Sequence, residues 1–441
     1  TLKSLQKNTK AQLKGFETKV LFSDSLYRYF VGLMDTEEDA NSLKNSPMIQ
    51  SISSDAFVVS DTAKVSKKNV PRFSITFPIR IALNVKSNLI SADWINSYID
   101  ADMVDNPSIK GDLLGSIPNS GMSGYFGLNA GALDMTFGSY GISLLNVDLF
   151  SRVNIPKPFT KLIFDGIRFN EPQNISDFDS RLLVVNSTTF SYGTKINIPQ
   201  VSFPTYVGVG LRYLNGFFSY VDSYEGEIIS KPDSVNIFSD LSVAYLDLEQ
   251  NKIASGFAFD LGFSTSINEK LSAQFSLIGL GGTLSSTETN VWTSTKDIRL
   301  SNKDISDIAD YNESQIDSIS NTFSVLDETK TVEGKSVSVP SRLNIGAGYI
   351  FSNNIHFKAS IQHLMKTDFI GSVDPRFSIG MELFPEKFYP ILFGISFGGI
   401  SGNTVGAGFG LKLKKFHMNF SGSHSGGIGN SATGFSFSTE M

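Results

Sequence analysis

Residues 73–84 read Phe-Ser-Ile-Thr-Phe-Pro-Ile-Arg-Ile-Ala-Leu-Asn, and every odd position is large and apolar: Phe73, Ile75, Phe77, Ile79, Ile81 and Leu83. The even positions are Ser74, Thr76, Pro78, Arg80, Ala82 and Asn84. A period of two describes a strand with two unlike faces. The pattern returns at Phe257, Phe259, Leu261 and Phe263 against Ala258, Asp260, Gly262 and Ser264. It returns again at Leu343–Tyr349, Phe377–Leu383, Val405–Leu413 and Phe416–Phe420. Fourteen such segments are centred near residues 78, 130, 145, 190, 213, 241, 261, 277, 345, 360, 380, 395, 409 and 419, with a further run at 434–440. Turn residues separate many of them, as in Ser352-Asn353-Asn354 and Ser401-Gly402-Asn403. Strands and helices do not alternate, which argues against a parallel α/β sheet.

A soluble sandwich also alternates, so composition has to decide. Only 18% of the 441 residues are charged, below the roughly 25% of soluble domains, and there are 36 Phe and 38 Gly. The apolar rows are crowded with Phe, while the opposing rows mix Gly, Ser and Asn with isolated charges. A soluble sandwich carries a strongly charged outer face; a confined barrel interior favours small polar residues. With flanking residues most segments reach about ten residues, enough for a tilted strand to cross hydrocarbon. The predicted fold is an all-β, closed antiparallel transmembrane β-barrel of about 14 strands (sixteen as the fallback) over residues 71–441.

Three stretches break the strand pattern and predict helical insertions. Residues 91–117 lie between the first two strands, 156–166 follow Pro156, and 302–323 space Ile305, Ile308, Ile316, Ile319 and Phe323 on one face of an acidic helix. Residues 1–70 differ again. Leu2, Leu5, Leu13, Phe16 and Val20 with interspersed lysines suggest one amphipathic helix, and Leu26–Leu43 another, so this leader reads as a helical plug or arm.

The absence of Cys excludes a disulfide scaffold, a thiolate metal site and cysteine nucleophilic catalysis. A net charge of −6 argues against nucleic acid as a partner. His356, His363, His417 and His424 form two His-x6-His pairs, which is not a metal-ligand spacing on a strand or helix. In Ser423-His424-Ser425, neighbours on a strand point to opposite faces and cannot converge on one substrate. No cofactor, no metal site and no enzyme activity are expected. The residues that merit assignment are the charges on the polar rows: Arg80, Arg212, Asp260, Arg342, Lys358, Arg376, Glu382 and Lys412. Inside a barrel they would face the lumen, where charge needs water or a partner. They either pair to hold a plug or line a path that orients an amphipathic ligand.

Arg72–Pro78, Leu113–Gly121, Ser151–Lys157 and the strand Gly208–Gly216 together resemble large outer-membrane barrels related to the FadL/TodX long-chain fatty acid transporters. The resemblance spans roughly residues 71–441. It implies a fourteen-stranded barrel in a bacterial outer membrane, blocked by an N-terminal hatch, with hydrophobic substrates leaving sideways through a gap in the wall. The expected function is passive transport of small hydrophobic or amphipathic, fatty-acid-like molecules, with membrane lipids and a hydrophobic small molecule as partners. The competing expectation is a structural barrel that docks another envelope protein, and a third is a nonspecific porin.

Overall fold

The computed structural model describes residues 18–21, 28–31, 73–76, 80–99, 106–196, 205–247, 252–301, 326–365, 368–370, 374–413 and 416–440. Register pairings trace a closed ring of fourteen antiparallel strands. In chain order these are β1 (Phe73–Thr76 and Arg80–Ser87), β2 (Met122–Phe137), β3 (Tyr140–Ile155), β4 (Asp179–Ile196), β5 (Thr205–Lys231), β6 (Ala254–Ser266) and β7 (Leu271–Leu280). They continue as β8 (Arg342–Ser352), β9 (Ile355–Leu364), β10 (Arg376–Leu383), β11 (Ile391–Gly398), β12 (Thr404–Leu413), β13 (Phe416–Ser425) and β14 (Gly434–Glu440). Each strand pairs with the next, and β14 closes on β1 from Gly434↔Lys86 to Glu440↔Arg80. Closure satisfies every edge, as hydrocarbon demands.

The alternation read from the sequence is the alternation of exposure. On β6, Phe257, Phe259 and Leu261 are 58%, 56% and 41% exposed, whereas Ala258, Asp260 and Ser264 are 1%, 0% and 0%. On β1, Ile81 is exposed and Arg80 buried. The exposed row carries Phe, Ile, Leu and Tyr around the ring, including Phe190, Phe377, Ile395 and Phe409. That is a continuous apolar band rather than scattered single residues, the surface a barrel presents to lipid. Among the described residues no helix is long and apolar enough to cross a membrane.

The two ends of the ring differ. At one end the strands are joined tightly, by Gly138-Ser139 between β2 and β3 and by Asn353-Asn354 between β8 and β9. At the other end lie α1 (Ala92–Tyr98), α2 (Pro107–Ser116) and α3 (Lys157–Asp165), which fall within the helical insertions expected at 91–117 and 156–166. The acidic helix expected at 302–323 lies outside the described residues. β5 runs for 27 residues, far beyond a bilayer crossing, and its distal half projects. There it pairs with Ser234–Tyr245, which pairs with Glu288–Ser301, which pairs with Leu326–Glu333. The segment centred on residue 241 is therefore a strand of this projecting sheet and not of the ring; Gly434–Glu440 supplies the fourteenth wall strand. Both alternate, and periodicity alone does not tell a wall strand from its extension.

Of the leader, the described parts Thr18–Leu21 and Arg28–Val31 form a two-stranded antiparallel ribbon, strand where helix was expected. The rest of that helical expectation lies outside the described residues.

Candidate functional site

The wall is irregular at one level over several neighbouring strands. Between β1 and β2 the register steps from Thr76↔Asp134 to Arg80↔Gly131, so β1 advances one residue more than its partner. On β2, Leu133 takes φ 67°, a left-handed backbone that a leucine adopts only at a cost. Between β3 and β4 the register slips again, from Ser143↔Thr189 to Asn146↔Ser187. The Thr188 hydroxyl donates to the Leu144 carbonyl at this step, at 3.3 Å. Bulges re-aim side chains, and this one gathers polar groups on the buried side. Ser143 Oγ donates to Asp134 Oδ1 at 2.5 Å, and Asn146 Nδ2 donates to Ser143 Oγ at 2.6 Å. Arg80, 2% exposed, lies beside them because Gly131 leaves room. A Cβ on Gly131 would stand 3.2 Å from Arg80 Nη2 and 3.0 Å from Asn146 Oδ1.

The second group is an ion pair between β5 and β6. Arg212 Nε donates to Asp260 Oδ2 at 2.6 Å, with the two side chains 6% and 0% exposed. A bulge between β6 and β7 turns the Gly279 amide onto the other carboxylate oxygen, at 2.8 Å. Arg342, at the start of β8, shares with Arg212, Asp148, Ser187 and Gly279 the lining of a cavity of about 20 Å³, room for about one water. Arg342 Nε is buried without a hydrogen-bond partner among the described residues.

The third group sits toward the tight-turn end. Lys358 Nζ lies 3.1 Å from Glu382 Oε2 and Lys412 Nζ lies 3.8 Å from Glu382 Oε1. Lys412 also donates to the Pro385 carbonyl at 2.6 Å. Glu382 is 2% exposed and lies opposite His356, which is itself buried. Arg376 stands apart, donating from Nε to Ser396 Oγ at 3.0 Å.

Of the eight residues singled out by sequence, the structure thus joins Arg212, Asp260 and Arg342, joins Lys358, Glu382 and Lys412, sets Arg80 beside the Asp134–Ser143–Asn146 group and puts Arg376 on Ser396. It adds Asp134, Asn146 and Asp148, the last accepting from Asn129 Nδ2 at 2.6 Å. It also adds an Arg152–Asp179–Arg181 cluster near the α3 end. Asp134 escaped the sequence reading because the bulge at Leu133 switches the parity of β2 midway, so it lies on the row opposite to the one counted from Asn129. Ser423 and His424 do point to opposite sides of the wall: Ser423 Oγ meets Ser436 Oγ at 2.6 Å, while His424 is exposed. Among the described residues no three acidic, His or Cys groups converge as a metal site.

Above the second group the connections fold onto the buried row. Leu284, Val337 and Val339 from the β7–β8 connection and Phe369 from the β9–β10 connection pack with Leu183, Val185, Leu214, Phe218 and Ala258. In the same connection Lys335 pairs with Asp222 at 2.6 Å. Partial burial works against its charge, but the hydrogen bond to Asp222 and the nearby Tyr220 more than offset this and hold its pKa above the ordinary lysine value. Among the described residues the opposite side of the ring carries no such apolar cluster. Its buried row reads Gly380, Gly394, Gly406 and Gly408, with Ser421 and Ser423 bonded to Ser438 and Ser436.

The expected likeness to FadL/TodX barrels is present among solved structures. The toluene transporter TbuX of Ralstonia pickettii is 11% identical, covers 83% of this chain and 87% of its own, and gives a TM-score of 0.39. The toluene transporter TodX of Pseudomonas putida is 8% identical, covers 90% and 91%, and also gives 0.39. A FadL homologue of Pseudomonas aeruginosa is 8% identical, covers 83% and 89%, and gives 0.37. No curated protein matches the chain. The barrel stands on its own strand pairing. A family model matches residues 69–421, and the chain belongs to that family, described as a family of unknown function, DUF5723.

Proposed function

We propose that this protein passes small hydrophobic or amphipathic, fatty-acid-like molecules passively across a bacterial outer membrane. The observation that carries the reading is the pair of register steps at one level of the wall, between β1 and β2 and between β3 and β4, beside a buried polar network. Backbone groups facing hydrocarbon are costly to leave unpaired, so a wall breached at one level is where a barrel opens most cheaply. In this reading the eight charges line the lumen. The Arg212–Asp260 and Lys358–Glu382–Lys412 groups fix the interior, and Arg80 and Arg342 orient the head of an amphiphile. The first 70 residues act as a plug or arm. No covalent step is involved.

The chain has no Cys, so one engineered pair can pin the breach. Val147 and Asn186 are register partners at the edge of the β3–β4 slip, close enough for a cross-strand disulfide. Oxidised V147C/N186C in vesicles is expected to admit a fluorescent fatty acid at least about tenfold more slowly than the same protein after reduction. Equal rates in both redox states would remove the wall route. Wild-type vesicles no faster than protein-free ones would remove transport altogether.

A second reading, a barrel that docks another envelope protein, is favoured by one observation. Among the described residues the projecting sheet ends in Leu326–Glu333, an acidic strand bonded on one side to Glu288–Thr295. A partner retained through purification and lost on deleting 326–333 would favour it.

A further inference from the structure

The exposed face of the wall holds a second feature, distinct from the buried charges. Where β14, β1, β2 and β3 reach the long-connection end, α1 stands over the exposed row and encloses a groove of about 770 Å³. Its floor is Val85, Phe126, Val153 and Phe435, and its roof is Ala92 and Ile95. The volume falls within the roughly 300–1,000 Å³ of small-molecule sites.

The roof is held off the floor by its own anchors. Ser91 caps α1 by accepting from the Trp94 amide at 3.1 Å, and Trp94 Nε1 donates to Ser116 Oγ at 3.1 Å. Asn88 bridges to both the Gly121 carbonyl and the Ser123 amide, at 2.9 Å each. On its other side α1 leans on the Gly429–Ser431 turn. As a result α1 buries no residue at all, and Ile95 and Ile99 remain 40% and 69% exposed. A short helix with apolar side chains facing an apolar wall across a fixed gap has the form of a slot, not of a packed contact.

Two facts fix the chemistry of the occupant. The floor belongs to the exposed apolar row, so the slot opens toward the membrane and suits an alkyl chain. Among the described residues the ionisable side chain on its outward face is His424, since Lys86 and Tyr125 belong to the buried row, where Lys86 Nζ donates to the Ile400 carbonyl. His424 is the exposed, outward member at the rim. We infer that the slot under α1 binds the alkyl chain of an amphiphile taken from the membrane side, with its polar head group beside His424. The site does not depend on passage through the barrel.

The test uses the full chain in vesicles with two photoreactive probes, a diazirine-bearing palmitate and a phosphatidylglycerol bearing the same chain. Cross-links are mapped by peptide mass spectrometry. Adducts are expected to concentrate on 85–95, 122–126 and 151–155 and to fall at least about tenfold in A92W, which fills the slot from the roof. S151W fills it from the floor and serves if A92W does not fold; the gel shift between boiled and unboiled samples reports folding. Loss in either folded variant supports the site, and the probe that labels tells whether a free acid or a phospholipid owns the chain. Adducts spread evenly over the exposed row, or unchanged in both folded variants, would mean bulk membrane lipid only and overturn it.

Discussion

Replacing Asp260 by alanine is expected to destabilise the folded barrel by about 3–5 kcal/mol, because the buried Arg212 guanidinium would lose the Asp260 carboxylate. The Gly279 amide would lose its acceptor at the same stroke, adding to the cost. The double variant R212M/D260A is expected to recover much of the loss, since a buried pair exchanged for apolar groups of similar size is often close to neutral. Urea unfolding in lipid vesicles, followed by far-ultraviolet circular dichroism, measures all three proteins. A cost under about 1 kcal/mol for D260A would mean that water reaches the pair, as in an exposed ion pair. The interior at this level would then be an aqueous channel, and the porin reading would gain.

The second large effect is expected at Gly256. The Thr283–Ser285 strand crosses so close to β6 that a Cβ on Gly256 would meet the Thr283 carbonyl oxygen at 1.7 Å. Backbone cannot yield as a flexible side chain does, so G256V is expected to expel the hairpin formed by Thr283–Ser285 and Ser336–Ser338. Leu284, Val337 and Val339 would leave the apolar cluster with it. The wall ladder of β6 with β5 does not run through that hairpin, so the ring should persist. The measurable result is a rise in single-channel conductance in planar bilayers with the gel shift of a folded barrel retained. Unchanged conductance in a folded G256V would show that the hairpin does not close the path.

Much of the ring was legible because lipid and interior impose opposite demands on alternate residues. Phe257, Phe259 and Leu261 against Ala258 and Asp260 needed no structure to be sorted, and the eight charges came from the same sorting. What stayed hidden has local causes. Leu133 in a left-handed conformation reverses the parity of β2, so Asp134 could not be placed by counting. Ser234–Tyr245 alternates like a wall strand yet belongs to the projecting sheet, since strand partners are chosen by the length of β5 and not by pattern. The slot under α1 is invisible in sequence because it depends on Asn88 and Ser91 holding a helix away from a floor that joins β1 to strands as distant in the chain as β14. Pairing among the charges was equally out of reach, since Lys358, Glu382 and Lys412 meet only through the register of β9, β10 and β12.

The seam between β14 and β1 also dictates an order of events during biogenesis. It joins residues more than three hundred positions apart through a short run of partners, Gly434–Glu440 against Arg80–Lys86. Contacts of such separation form late, after local hairpins. Until they do, two strand edges are left open, a hazard in water and an impossibility in hydrocarbon. Membrane entry and ring closure must therefore be one concerted step, completed only when Gly434–Glu440 is present. Phe435 and Val85, the floor of the slot under α1, meet across that same seam. An amphiphile seated there would act as a clasp, favouring the finished cylinder over any half-zipped precursor.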